Sequence, residues 1–272
     1  MREGFVREEL CIAHRGRAVR GFVLFPAPAG EGAAQAEGCR KGAEGAPPAA
    51  KGWPAAVFCH GFGGRAEDFE GAAAFLARNG VVACCFTFCG SSPAAEEGLL
   101  TRAMTLWTER EDLLAVLAHL RADARVDGER LFLCGASQGG MVSALAACAG
   151  AVRGMVLLYP AFCIPDDWRR AFPREEDVPD VHTLWGVELG RPFFETAKKI
   201  DVFAQACRFA GPVLLLHGDA DAVVPVSYSR RAAEIFPQAA LVEFAGEGHG
   251  FSPTYAEKAD QMLLAFVQKY GA

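Results

Sequence analysis

Apolar residues in this chain come in short, nearly unbroken runs separated by polar, glycine-rich turns. Phe5 to Ala13 and Val19 to Phe25 look like two strands, joined by the polar turn His14-Arg15-Gly16-Arg17. They predict an antiparallel hairpin at a sheet edge, with His14 as a solvated turn residue. The later runs are Ala55 to Cys59, Val81 to Phe88, Leu131 to Cys134, Gly154 to Tyr159, Pro212 to Leu216 and Ala240 to Phe244. A strand that is apolar on consecutive residues is one covered on both faces, as in a parallel sheet. Between these runs the period changes to that of helices. One helix is expected over Ala66 to Arg78, stopped by Asn79-Gly80. A second buries Leu113, Leu114, Val116, Leu117 and Leu120, with Thr108 and Glu111 as its capping box and His119 structural. A third is expected around Tyr228 to Phe236. The last starts at Ser252-Pro253 and turns Tyr255, Ala259, Met262, Leu263, Phe266 and Val267 inward. Strands alternating with helices predict an α/β fold: a mainly parallel central sheet with helices on both faces.

Two stretches break this rhythm. Residues Ala27 to Gly52 are mostly Ala, Gly, Pro and Glu, without apolar periodicity, and are read as a flexible loop insertion. Residues Pro160 to Arg208 carry Trp168, Trp185, Phe193 and Phe194 among several prolines and acids. A structureless connection of about fifty residues is rare in a compact domain without a function. The stretch 161–208 is therefore expected to be a cap inserted over a core made of 1–160 and 209–272. Its four aromatics are expected to line one wall of a substrate pocket. His182, within the cap, is given a surface role.

At 272 residues the chain suits one large α/β domain. A net charge of −6 with no basic stripe argues against nucleic acid as a partner. Every apolar run is too short to span a bilayer, so no membrane partner is expected. Met1-Arg2-Glu3-Gly4 lacks the apolar segment of a signal peptide, and a cytoplasmic protein is expected. Of the ten cysteines, Cys59, Cys84, Cys85 and Cys134 sit inside apolar runs and are read as small buried hydrophobes with reduced thiols. No familiar zinc spacing occurs, so neither metal nor cofactor is expected.

The chemistry centres on Leu131 to Gly140: a buried strand, one abrupt turn and a helix start. The turn reads Gly135-Ala136-Ser137-Gln138-Gly139, a Gly-x-Ser-x-Gly nucleophile elbow. A serine projecting from so sharp a turn is expected at positive φ, with glycines where side chains would collide. The helix N-terminus that follows favours a developing anion. A serine hydroxyl is a poor nucleophile until a base takes its proton. His249, in the glycine-rich loop Gly246 to Gly250, is the candidate base. The acid that orients it comes from Asp219 or Asp221, after strand Pro212 to Leu216, with Asp219 read as a turn-former. His217 is read as hydrogen-bonded structure. His60-Gly61-Phe62-Gly63-Gly64 ends another strand and can bring backbone N–H groups close to a ligand. The chain order Ser, Asp, His is that of α/β-hydrolases.

On these motifs the chain resembles the α/β-hydrolase superfamily over nearly its whole length. The resemblance implies Asp221 as the acid, since it stands fourth after His217-Gly218 and precedes Val224-Pro225. It also implies that the N–H groups of Phe62 and Gln138 form an oxyanion hole. More narrowly, His60-Gly61-Phe62, Ala136 to Gly140 and the cap's position resemble bacterial cinnamoyl (feruloyl) esterases and acylaminoacyl-peptidase-like hydrolases without a propeller. The chain departs from the esterase pattern at two places. Ala136 stands where those esterases usually have His, and Phe193-Phe194 where a tyrosine would meet a phenolic hydroxyl. The expectation is a serine hydrolase, foremost a carboxylesterase for small or medium acyl esters, aromatic acyl groups included. A small serine peptidase or thioesterase is the alternative. From another class, the alternative is a non-catalytic protein binding a ligand in the same pocket. The expected partner is a small-molecule ester, with a homodimer left open.

Overall fold

Eight strands form one sheet in the computed structural model, which describes residues 4–27, 52–92, 99–206 and 208–272. The first half of the chain runs β1 (Phe5–His14), β2 (Arg17–Pro26), β3 (Trp53–Cys59), α1 (Glu70–Arg78), β4 (Val82–Thr87), α2 (Leu106–Ala122), β5 (Val126–Ala136), α3 (Gln138–Gly150) and β6 (Gly154–Leu158). Then come α4 (Ile164–Ala171), the hairpin β7 (Val181–Leu184) and β8 (Val187–Gly190), α5 (Arg191–Ala197) and α6 (Val202–Ala206). The chain closes with β9 (Val213–Gly218), α7 (Ser227–Ile235), β10 (Ala239–Phe244) and α8 (Pro253–Tyr270). Sheet order is β1-β2-β4-β3-β5-β6-β9-β10. β2 pairs antiparallel with β1 and β4, and every pair from β4 to β10 is parallel. This is the α/β-hydrolase arrangement that the motifs implied.

The unbroken apolar runs have a direct cause. Successive strand residues point to opposite faces, and both faces are covered. Val57, Cys59, Cys84, Leu133 and Leu157 join the core beneath α2 and α3. Their neighbours Phe58, Cys85, Phe132, Cys134 and Val156 join a second core beneath α1 and α8. The four cysteines named from the sequence are buried and unpaired. Burial raises the Cys59 thiol to about 12, so it stays protonated and inert.

Three local expectations change. His14 is the last residue of β1 and half-buried; the turn is Arg15-Gly16, both at positive φ (48° and 78°), as a two-residue hairpin requires. The capping box of α2 lies one turn earlier than expected. Thr105 is the cap and accepts from the Thr108 N–H at 3.1 Å, while the Thr108 hydroxyl accepts from the Thr105 N–H at 2.9 Å. Burial of Leu106 extends the helix by that turn, and Glu111 pairs instead with Arg15 at 2.8 Å. His182 is half-buried, its ring 5.7–5.8 Å from those of Trp168, Phe172 and Phe194. Nearly all of the expected 27–52 loop lies outside the described residues. Among the described residues no helix is long and apolar enough to cross a membrane.

Candidate active site

β5 ends at Ala136 and α3 begins at Gln138, so Ser137 occupies the whole turn between them. Its backbone has φ 52° and ψ −120°, a conformation costing on the order of 1–3 kcal/mol for a residue with a side chain. Hydrogen bonds from both sides hold it there. The Ser137 N–H donates to Leu158 O at 2.9 Å, and its carbonyl accepts from the N–H groups of Gly140 and Ala161 at 3.0 and 2.9 Å. The flanking glycines are needed because the turn is pressed into its surroundings. A Cβ on Gly135 would lie 2.5 Å from Gly139 O, and one on Gly139 would lie 2.2 Å from Cys59 O at the end of β3. That close approach brings the loop His60 to Gly64 against the serine: a Cβ on Gly61 would stand 3.2 Å from the Ser137 Cβ.

Two more strand ends supply His249 and Asp221. His249 follows β10, and its Nε2 lies 2.9 Å from Ser137 Oγ. Its Nδ1 lies 2.8 Å from Asp221 Oδ2. Asp221 follows β9 with a fully buried carboxylate, whose Oδ1 accepts the N–H groups of Val223 and Val224, both at 2.8 Å. Burial alone would raise its pKa. The Val224 N–H, the His249 ring and the Val223 N–H outweigh burial and hold it below the usual range. An ionised Asp221 only accepts, so Nδ1 of His249 carries the proton and Nε2 offers a lone pair to the Ser137 hydroxyl. Asp219 takes no part in this chain. Its Oδ1 accepts the Gly246 N–H at 2.6 Å and ties the β9 loop to the β10 loop. His217 is buried behind Asp221, with Nε2 3.0 Å from Val224 O and 3.2 Å from Asp221 Oδ2.

Phe62 and Gln138, whose N–H groups the resemblance implied as oxyanion donors, line one cavity with Ser137. His60 is buried, and its Nε2 accepts the Phe88 N–H at 3.0 Å. Nδ1 therefore carries the proton and donates to Gly61 O at 2.7 Å. Burial brings the His60 pKa down to about 4, so the ring stays neutral. Because the peptide unit is planar, fixing the Gly61 carbonyl also fixes the direction of the Phe62 N–H. The other donor belongs to Gln138, the first residue of α3.

Phe62, Ser137 and Gln138 line a cavity of about 200 Å³, together with Trp168, Trp185 and Phe193. Trp185 sits at the tip of the β7–β8 hairpin, 70% exposed, its ring edge-on to Phe62 at 5.8 Å. Phe194 does not line the cavity. It is completely buried, with its ring 4.7 Å from Trp168 and 5.4 Å from Phe172, and so holds α4 and α5 together. Two residues escaped the sequence reading. Tyr159, at φ 37° after β6, sets its ring against the His249 imidazole at 4.7 Å. Glu109 of α2 is buried against Gln138. Tyr159 lies in no motif, and Glu109 lies inside the Thr108–Glu111 stretch without a role in the capping box read there. A larger cleft of about 400 Å³ lies between α8 and the starts of β9 and β10. It is at the amino ends of the strands, away from Ser137, and such sheets bind ligands at their carboxyl ends. Among the described residues no cluster of three or more His, Cys, Asp or Glu side chains could hold a metal ion.

Comparison with known proteins adds relatives to this geometry. The bifunctional esterase/perhydrolase DCH of Acinetobacter calcoaceticus is 39% identical over 77 residues, 28% of this chain and 25% of that protein. The non-heme chloroperoxidase CPO-A1 of Kitasatospora aureofaciens is 38% identical over 80 residues, 28% and 26% of the two chains. The match thus spans only about a quarter of each of these curated relatives. Among solved structures, ferulic acid-bound Est1E from Butyrivibrio proteoclasticus superposes with a TM-score of 0.79 at 21% identity, covering 96% of this chain and 98% of its own. The α/β-hydrolase GrgF from a Penicillium species gives 0.73 at 13% identity, covering 97% and 99%. At such identities the likeness is one of fold. The prolyl oligopeptidase family profile matches residues 68–272, a stretch that holds Ser137, Asp221 and His249 and exceeds half the chain. On that match, carried by the α/β-hydrolase fold, this chain belongs to the prolyl oligopeptidase family.

Proposed function

We propose that the protein is a serine hydrolase, foremost a carboxylesterase acting on small or medium acyl esters. The observation that carries this reading is the hydrogen-bonded chain Ser137–His249–Asp221 opening into an apolar cavity. His249 Nε2 takes the Ser137 proton as Oγ attacks the ester carbonyl, and Asp221 stabilises the imidazolium that forms. The N–H groups of Phe62 and Gln138 receive the developing oxyanion, each stabilising it by roughly 3 kcal/mol. His249 returns the proton to the leaving alcohol, and water then releases the acyl group by the same steps. A cavity of about 200 Å³ is smaller than most drug-sized ligand sites, which suits a short acyl chain or a single ring. The name of DCH as an esterase and the family match support hydrolysis. A small peptidase or thioesterase would use the same chemistry. Labelling by a fluorophosphonate, followed by rates on p-nitrophenyl esters, acyl thioesters and aminoacyl amides, tests the proposal. Stoichiometric labelling of Ser137 with esters turned over fastest is the expected result. An unlabelled, inactive protein would instead favour a ligand-binding role.

The two adjacent phenylalanines separate specificity from stability. Phe193→Ala enlarges the cavity, and each buried methylene of substrate gains about 0.8 kcal/mol, so the preferred p-nitrophenyl ester should lengthen by several carbons. Phe194→Ala removes packing and should cost about 3–5 kcal/mol of stability, with activity falling uniformly across chain lengths. A chain-length series and a melting curve on both variants read the difference. Identical behaviour of the two would remove Phe193 from the specificity wall.

A further inference from the structure

Glu109 is a buried carboxyl that the chemistry above leaves unused. It lies on α2 at 1% exposure, and both its oxygens are 2.9 Å from Nε2 of Gln138, itself 3% exposed. Gln138 is the first residue of α3 and follows Ser137 directly, so the contact ties the start of that helix to α2 across 29 residues of sequence. We propose that Glu109 is a positioning residue that holds the first turn of α3, and with it the Gln138 N–H, in place for the oxyanion. The proposal rests on the serine-hydrolase reading of this site.

The surroundings favour the neutral form. The charged and titratable groups facing Glu109 are Asp112 one turn further along α2 and Cys59 at the end of β3. Neither is a cation, and the nearby Arg17 is committed to Asp112 at 2.7 Å. Burial raises the Glu109 pKa to about 8; the Gln138 amide opposes this and Asp112 adds to it. Both Glu109 oxygens accept from the Gln138 Nε2, so the carboxyl holds that amide nitrogen whichever oxygen carries a proton. Ionisation puts a negative charge behind the helix start that would receive the oxyanion, cancelling part of the positive helix end there. The sign is therefore fixed: the support Glu109 gives is full below its pKa and declines as pH rises through it.

The test uses Glu109→Gln and Glu109→Leu in the full chain, with p-nitrophenyl acetate and a fluorophosphonate as probes. Wild type should lose kcat/KM above pH about 8. Glu109→Gln keeps an oxygen that accepts from the Gln138 Nε2 and cannot ionise. It should match wild type near neutral pH and lose the alkaline fall. Glu109→Leu should lower kcat by roughly 10- to 100-fold at little change in KM, with fluorophosphonate labelling slowed alike, short of the loss of a whole oxyanion donor. A folded Leu variant with wild-type kcat would overturn the proposal, and so would a Gln variant that keeps the alkaline fall. If the Leu variant does not fold, the Gln profile decides alone. Wild type that is never labelled would overturn the hydrolase reading and this proposal together. A labelled wild type with Glu109 variants indistinguishable from it overturns this proposal alone.

Discussion

Ser137→Ala should lower kcat by on the order of 10⁶ while leaving the protein folded. The size follows from removing the attacking atom itself: His249 then has a proton acceptor but no nucleophile to activate. The residual rate comes from the Phe62 and Gln138 N–H groups and from binding, which together still exceed water by about 10³–10⁴. Stability should change little. Ala and Ser bear the same Cβ at φ 52°, and the bonds that hold this turn are backbone bonds from Leu158, Gly140 and Ala161. The single interaction lost is the one to His249 Nε2 at 2.9 Å, worth about 0.5–1.5 kcal/mol net. The measurement is kcat on p-nitrophenyl acetate beside a melting curve. A folded variant retaining a tenth of wild-type activity would remove Ser137 from the chemistry.

The elbow could be read in the sequence because its chemistry is local: five consecutive residues carry the turn, the strain relief and the hydroxyl. The strands were equally legible, since a sheet covered on both faces writes unbroken apolar runs such as Val57-Phe58 and Leu133-Cys134, whose members enter opposite cores. The capping box was misplaced because Thr105 and Thr108 can each serve as a cap, and only the burial of Leu106 decides between them. Phe193 and Phe194 are neighbours on a seven-residue helix. Which one faces the cavity and which one faces Trp168 is set by how α4 and α5 pack, a relation absent from composition or period. His60, Tyr159 and Glu109 illustrate the same limit. Each acts through a contact made across the chain, with Phe88, His249 and Gln138 respectively, and its own sequence neighbours give no sign of that partner.

Asp221→Asn should lower kcat by about 10⁴, whereas Asp219→Asn should leave it nearly unchanged. The difference lies in what each carboxylate accepts. At Asp221 one oxygen is committed to the Val223 and Val224 N–H groups, so an introduced amide must turn its oxygen there and its NH₂ toward His249. The opposite orientation would set the NH₂ against two N–H donors, leaving them unpaired. With an NH₂ facing Nδ1, the imidazole must accept on Nδ1 and carry its proton on Nε2, directed at Ser137 Oγ. That tautomer cannot take the hydroxyl proton. His217 reinforces the effect, since its Nε2 also faces the same carboxylate oxygen at 3.2 Å and leaves the NH₂ no compensating acceptor. At Asp219 the hydrogen bond at stake is the Gly246 N–H to Oδ1, which an asparagine oxygen accepts equally well. The comparison needs both variants assayed on one ester, with melting temperatures to show that each is folded. Should Asp219→Asn prove the more damaging, the two aspartates would exchange roles, and the β9–β10 loop tie would become the part of this site on which proton transfer depends.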